Sequence, residues 1–153
     1  MFSVCRTKKG DEYLNSVFLN TIAPYCKIGD YIFKVVFDIE NDGFIKMGDN
    51  FRSILKVCIN DNVSVTPFYE INQTFLSKCV FKYEFLGNTN GNIKNVNFIN
   101  LLNNIPINKN CGYLYKDNNI KIRFICLSKA GSLFFRHTKP SDASRVNQYG
   151  NFS

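Results

Sequence analysis

Residues 42–68, DGFIKMGDNFRSILKVCINDNVSVTPF, constrain this chain more than any other stretch. Phe44, Ile45 and Met47 form a short apolar run bounded by Gly43 and Gly48, and the polar knot of Gly48, Asp49 and Asn50 breaks it. A second apolar run, residues 54–59, ends at Asn60, Asp61 and Asn62. Val63 and Val65 then alternate with Ser64 and Thr66 until Pro67. Short apolar runs cut by Gly, Asn and Asp read as strand, tight loop, strand, turn, strand, with Pro67 as the stop. Asn60 stands where such a turn calls for positive φ, and asparagine tolerates that conformation best after glycine.

At 153 residues the chain is long enough to bury a real core, as one large domain or two small ones. Hydrophobic residues make up 45% and aromatics 15%, a globular composition, and no run of 18 apolar residues predicts a membrane span. The first residues lack the long apolar segment of a secretory leader. The six cysteines contain no C-x-x-C pair, and with no secretory signal they are expected to be buried free thiols in strand patterns. His137 is the only histidine and lies in the polar tail, so a zinc site is not expected. The net charge of +7 points to an acidic partner such as nucleic acid, anionic lipid or an acidic protein surface, with an ordinary basic surface as the alternative.

Read in order, residues 2–5 form a first strand, 7–12 a turn and 13–20 a second strand. Pro24 and Gly29 bracket a loop, residues 31–37 are a strongly apolar strand, and 38–42 are an acidic, solvated loop. Residues 69–74 change the texture and mark a subdomain boundary. Residues 79–86 alternate, with Cys79, Phe81, Tyr83 and Phe85 on one face and Lys82 and Glu84 on the other. Residues 96–104 read as a helix, because Phe98, Leu101, Leu102 and Ile105 fall at helical spacing and Asn95 can cap it. Residues 107–111 echo 59–63, and 112–115 with 120–127 read as a hairpin. Residues 129–153 read as a linker.

These residues resemble the N-terminal domain of the NSF/Sec18 membrane-fusion ATPases, and more distantly that of the Cdc48/p97 group. Gly43, Ile45 and Met47 match that family's Gly-x-Ile-x-Phe strand. Arg52 matches its loop arginine, with Ser53 and Ile54 where the family has Lys-Trp. Ile59 to Val65 match its Ile-Gly-Gln-x-(Val/Ile)-x-Val, with Asn60 in place of glycine. Asp11, Glu12, Leu14, Asn15 and Asn20 are similar to its opening strand, and Phe85, Leu86 and residues 98–104 to its Phe-Leu strand end and helix. The resemblance implies a mostly β fold with some α. It comprises a double-psi-like β-barrel subdomain at 1–69, a smaller α/β subdomain at 75–128, and a linker at 129–153 toward an ATPase domain.

No G-x-x-x-x-G-K-[ST] occurs. Gly43 and Gly48 have the glycine spacing, but Asp49 and Asn50 stand in place of Lys and Ser/Thr, so this stretch cannot cradle a triphosphate. No Ser/His/Asp or Cys/His arrangement is credible. Asp38, Glu40 and Asp42 are spaced like calcium ligands but lack the downstream bidentate glutamate. The expectation is a non-catalytic recognition domain with no cofactor of its own, ATP and Mg belonging to the ATPase domains. The resemblance further implies a basic groove that accepts an acidic SNAP-type adaptor and, through it, SNARE complexes. Arg52, Lys94, Lys56 and Lys46 are the expected contacts. It also implies a homohexameric full-length protein, recruited from the cytoplasm to membranes without inserting. A Cdc48-type domain binding ubiquitin-pathway adaptors, a basic RNA- or lipid-binding module, and an enzyme on a barrel are the alternatives.

Overall fold

The computed structural model describes residues 1–69, 76–87, 91, 93, 96, 105–117 and 120–131. It is mostly β with a little helix, and the chain divides into two compact units, Met1–Asn72 and Gln73–Ser153. The expected helix at 96–104, and Lys94, lie outside the described residues, apart from Val96, which is buried.

The first unit holds strands β1 (Phe2–Arg6), β2 (Val17–Leu19), β3 (Tyr25–Ile28), β4 (Tyr31–Phe37), β5 (Phe44–Met47), β6 (Asn62–Val63) and β7 (Thr66–Phe68). They form one curled sheet in the order β6-β1-β5-β2-β4-β3-β7. β1 runs parallel to β5, and β2 parallel to β4. The β2–β5 junction and the outer pairs β1–β6, β3–β4 and β3–β7 are antiparallel. Val4, Val17, Leu19, Phe33, Ile45 and Met47 are buried between these strands and the short helix α1 (Asp49–Leu55).

Helix α1 corrects the reading of the central stretch. Residues 54–59 are not a strand: Ile54 and Leu55 end α1, and residues 56–61 form a left-handed step and a turn. The polar knot at 48–50 starts the helix, with Gly48 in extended conformation ahead of it. Phe51 turns inward and its ring stacks at 4.7 Å on that of Phe33 in β4.

Pro67 does not stop a strand either. Val63 ends β6, and Pro67 lies inside β7, opposite Cys26. β7 is an edge strand, where a residue without an N–H is tolerated. The expected strand at 13–20 is a 3-10 turn, Asp11–Leu14, then left-handed Asn15 and the short β2. The loop between Pro24 and Gly29 is strand β3, with Cys26 and Ile28 buried and Lys27 exposed. The loop at 38–42 is not wholly solvated: Asn41 is buried and its Nδ2 donates to the Phe18 carbonyl at 2.8 Å.

Asn60 has φ 74, as its place in the sequence predicts. Asp61 N–H returns to the Cys58 carbonyl, closing a four-residue turn. Asn60 N–H donates to the Val4 carbonyl, and Val4 N–H to the Asp61 carbonyl, both at 2.8 Å. The second unit repeats this construction. Asn110 has φ 67, Cys111 N–H returns to the Asn108 carbonyl, Asn110 N–H donates to the Cys126 carbonyl, and Cys126 N–H to the Cys111 carbonyl. The sequence echo is therefore real in structure but displaced by two residues: Asn110, not Asn108, is the counterpart of Asn60.

The second unit contains an antiparallel sheet, β8 (Leu76–Phe85), β10 (Lys121–Gly131) and β9 (Gly112–Lys116), in that order. β10 continues through Gly131, so residues 129–131 are strand rather than linker; the rest of that expected linker lies outside the described residues. Phe81, Tyr113, Ile122 and Phe124 are fully buried, and Phe81 meets Phe124 edge-to-face at 6.1 Å. Tyr113 ties the preceding loop to this core: Asn108 N–H donates to its Oη at 2.7 Å, and its hydroxyl donates to the Pro106 carbonyl at 3.2 Å. Tyr113→Phe leaves the buried Asn108 N–H without that acceptor, at a cost of about 1–3 kcal/mol. Urea unfolding is expected to show this loss without a change in the first unit's amide hydrogen exchange; unchanged stability would contradict the pin.

Candidate functional site

Of the four basic residues singled out by the sequence, Lys94 lies outside the described residues, and Lys46 and Arg52 are engaged within the first unit. Lys46, on β5, donates through Nζ to Asp38 Oδ2 at 3.1 Å, and both side chains are about one-fifth exposed, at 21%. The ammonium beside Asp38 holds its carboxyl below the usual carboxylate range, with help from the Glu40 N–H and Lys8. Lys46 is thus committed to fastening the β4–β5 loop onto the sheet.

Arg52 is committed as well. Its Nη1–H donates to the Met47 carbonyl at 2.7 Å, and Nη2 lies 3.6 Å from Asp49 Oδ1, one helical turn back. Only 17% of its side chain is exposed, against 84% for Asp49. The guanidinium therefore straps α1 to the end of β5. Arg52 thus stands on a helix and not in the loop that the resemblance implied. The missed signal was helical spacing: Phe51, Ile54 and Leu55 fall at i, i+3 and i+4.

Lys56 is different. It follows α1 at φ 57, its own N–H satisfied by the Arg52 and Ser53 carbonyls, and its side chain is exposed. Three further exposed cations, which the sequence reading did not single out, belong to the same end of the sheet. Arg6 closes β1 opposite Met47, the last residue of β5 before α1, and Lys8 and Lys9 follow it. Only the topology could reveal this grouping, since about fifty residues of chain separate Arg6 from Lys56. Asp11, Glu12, Asp49 and Asp61 are the acidic residues nearby in the chain; Glu12 accepts the Gly10 N–H and Asp61 the Cys58 N–H, both at 2.8 Å.

In the second unit Arg123 pairs with Glu84 directly across β10 and β8, at 2.7 Å, so it too is engaged, while Lys82 is exposed. All six cysteines are free. Cys58 is exposed in its turn and Cys5 half-buried, which corrects the expectation that all are buried. Among the described residues, no group of three or more His, Cys, Asp or Glu side chains could hold a metal ion, and no helix is long and apolar enough to cross a membrane. No family model matches the chain, and a search of curated proteins returns no relative.

The Asp38–Lys46 pair carries a pH signature. Because the folded carboxyl is held low, the folded state binds fewer protons than the unfolded chain. Its contribution is complete above the ordinary carboxylate range and is lost as pH falls through the lowered value. Asp38→Asn should be less stable than wild type by a constant margin from pH about 5 to 8, with the margin closing below about pH 4. Urea midpoints across that range test it; a margin that persists or widens in acid would contradict the assignment.

Proposed function

We propose that this chain is the non-catalytic, adaptor-binding N-terminal domain of an NSF/Sec18-type ATPase. It grips an acidic SNAP-type adaptor and so couples ATP-driven motion elsewhere in the hexamer to disassembly of SNARE complexes. The observation that carries the reading is the pairing order of the first unit. Outward from the antiparallel β5–β2 junction, each side has a parallel pair and then an antiparallel neighbour: β5–β1–β6 on one side, β2–β4–β3 on the other. Two halves interlocked in this way support the double-psi-like barrel that the sequence resemblance implies. A second support is Asn60, whose positive φ meets the backbone demand that glycine meets in the family motif.

On this reading the adaptor meets Lys56 together with Arg6, Lys8 and Lys9, while Arg52 and Lys46 hold the surface in shape. Opposite charge at exposed side chains speeds encounter and adds salt dependence, with modest energy per contact. A Cdc48-type reading has one observation in its favour. Ile22, Phe37, Ile39 and Phe44 are exposed apolar side chains of the first unit, which apolar adaptor recognition would use.

The test is a titration of the full chain against a SNAP-type adaptor, with RNA and a ubiquitin-pathway adaptor as comparators. Lys56→Glu should weaken SNAP binding about tenfold, roughly 1.4 kcal/mol, with an unchanged melting temperature. Arg52→Ala should instead lower stability by about 1.5–3 kcal/mol through the lost charged hydrogen bond. If SNAP binds no tighter than the comparators, the NSF reading fails. If Lys56→Glu binds like wild type, the assigned surface fails.

A further inference from the structure

Two buried sulfur atoms in the second unit face each other across neighbouring strands. Cys79 Sγ of β8 and Cys126 Sγ of β10 are 3.6 Å apart, and both residues are closed to solvent, at 1% and 0% exposure. They are not directly paired: Cys79 stands opposite Lys129, and Cys126 opposite Phe81. The ladder slips between Cys126 and Ser128, and this slip brings the two sulfurs together. Leu127 and Ser128 at the slip are exposed. The slip leaves the ladder locally disrupted beside the two sulfurs, with its residues open to solvent.

The surroundings distinguish the two thiols. Lys129 is part-buried beside the pair, its Nζ donating to the Ile107 carbonyl at 2.8 Å. Hydrogen bonding between the two sulfurs, with burial, holds the Cys79 thiol protonated. The same bond, with Lys129 and Lys109 nearby, draws the Cys126 thiol below its ordinary value against the opposing effect of burial, and that thiol also faces the Ser128 carbonyl at 3.6 Å. The other buried thiols lack this arrangement: burial pushes Cys26 and Cys111 up to about 12. A thiolate is the nucleophilic form of cysteine, and Cys126 is the member of the pair that ionises more readily.

We propose that Cys79 and Cys126 are a dithiol modification site that hydrogen peroxide oxidises to an intramolecular disulfide. The Cys126 thiolate attacks one peroxide oxygen, the O–O bond breaks, and hydroxide leaves, taking up a proton to become water. The sulfur is now a sulfenic acid. Cys79 sulfur attacks it and loses its proton, the S–O bond breaks, and a second water leaves. Two thiols are oxidised by two electrons in all, and one peroxide is reduced to two waters. The product staples β8 to β10 and removes the freedom of residues 79–126 in the unfolded chain.

The experiment treats the full native chain with hydrogen peroxide, blocks remaining thiols in denaturant, and maps the peptides by mass. The expected result is a Cys79–Cys126 cross-linked peptide lighter by two hydrogens, reversed by a thiol reductant. The second unit's melting temperature should rise by about 5 °C or more. Exposed Cys58 reports whether the peroxide was active. In Cys79→Ser, the sulfenic acid at Cys126 should persist long enough to be trapped by dimedone. Denatured wild type under the same peroxide should give mixed pairings instead of this one. Oxidation of Cys58 in native wild type with both Cys79 and Cys126 still free to be blocked overturns the proposal.

Discussion

The amide and carbonyl of Val4 point away from β5, and the turn at 58–61 satisfies both. Val4 is fully buried, so these groups have no water to fall back on, and leaving either unpaired would cost about 1–3 kcal/mol. The turn can reach them only if Asn60 goes left-handed, and only if the chain leaving β5 crosses β1 on its way to β6. Helix α1 is that crossing. Its position is fixed near its start by Phe51 against Phe33, at its middle by the Arg52 strap to Met47, and at its end by the left-handed step at Lys56. The exposure of Lys56 follows from this route, because a residue that reverses the chain after a packed helix has its side chain thrown outward.

That the second unit makes the same turn with Asn110, feeding its hydrogen bonds to Cys126, shows one backbone solution used twice. It also links the fold to chemistry. In the first unit the residue served by the turn is Val4, an inert side chain. In the second it is Cys126, whose sulfur lies beside that of Cys79. The turn that satisfies the Cys126 backbone therefore also positions its thiol.

Much of the strand content was legible. β1, β4 and the β9–β10 hairpin follow from apolar alternation and turn residues, and the left-handed Asn60 from turn chemistry. The misreadings have physical causes. Ile54, Leu55, Val57 and Ile59 form an apolar run that suits a strand by composition, and only the 3.6-residue spacing from Phe51 distinguishes the helix. β3 was hidden because four residues between Pro24 and Gly29 offer two alternations at most. The candidate site was legible only in part. Charge located Lys46, Arg52 and Lys56, but which cation is free depends on partners, Asp38 and the Met47 carbonyl, that only the folded chain brings within reach. Arg6, Lys8 and Lys9 could not be grouped with Lys56 without the β1–β5 register.

The chain passes from β5 to β6 through a strapped helix and a left-handed turn, and backbone chemical shifts measure this directly. NMR assignment across residues 48–63 should give helical Cα secondary shifts through Asp49–Leu55, then left-handed signatures confined to Lys56 and Asn60. The Asn60 and Val4 amides should be strongly protected from exchange. A continuous run of strand-type shifts across residues 54–59, with an exchange-labile Val4 amide, would contradict the account.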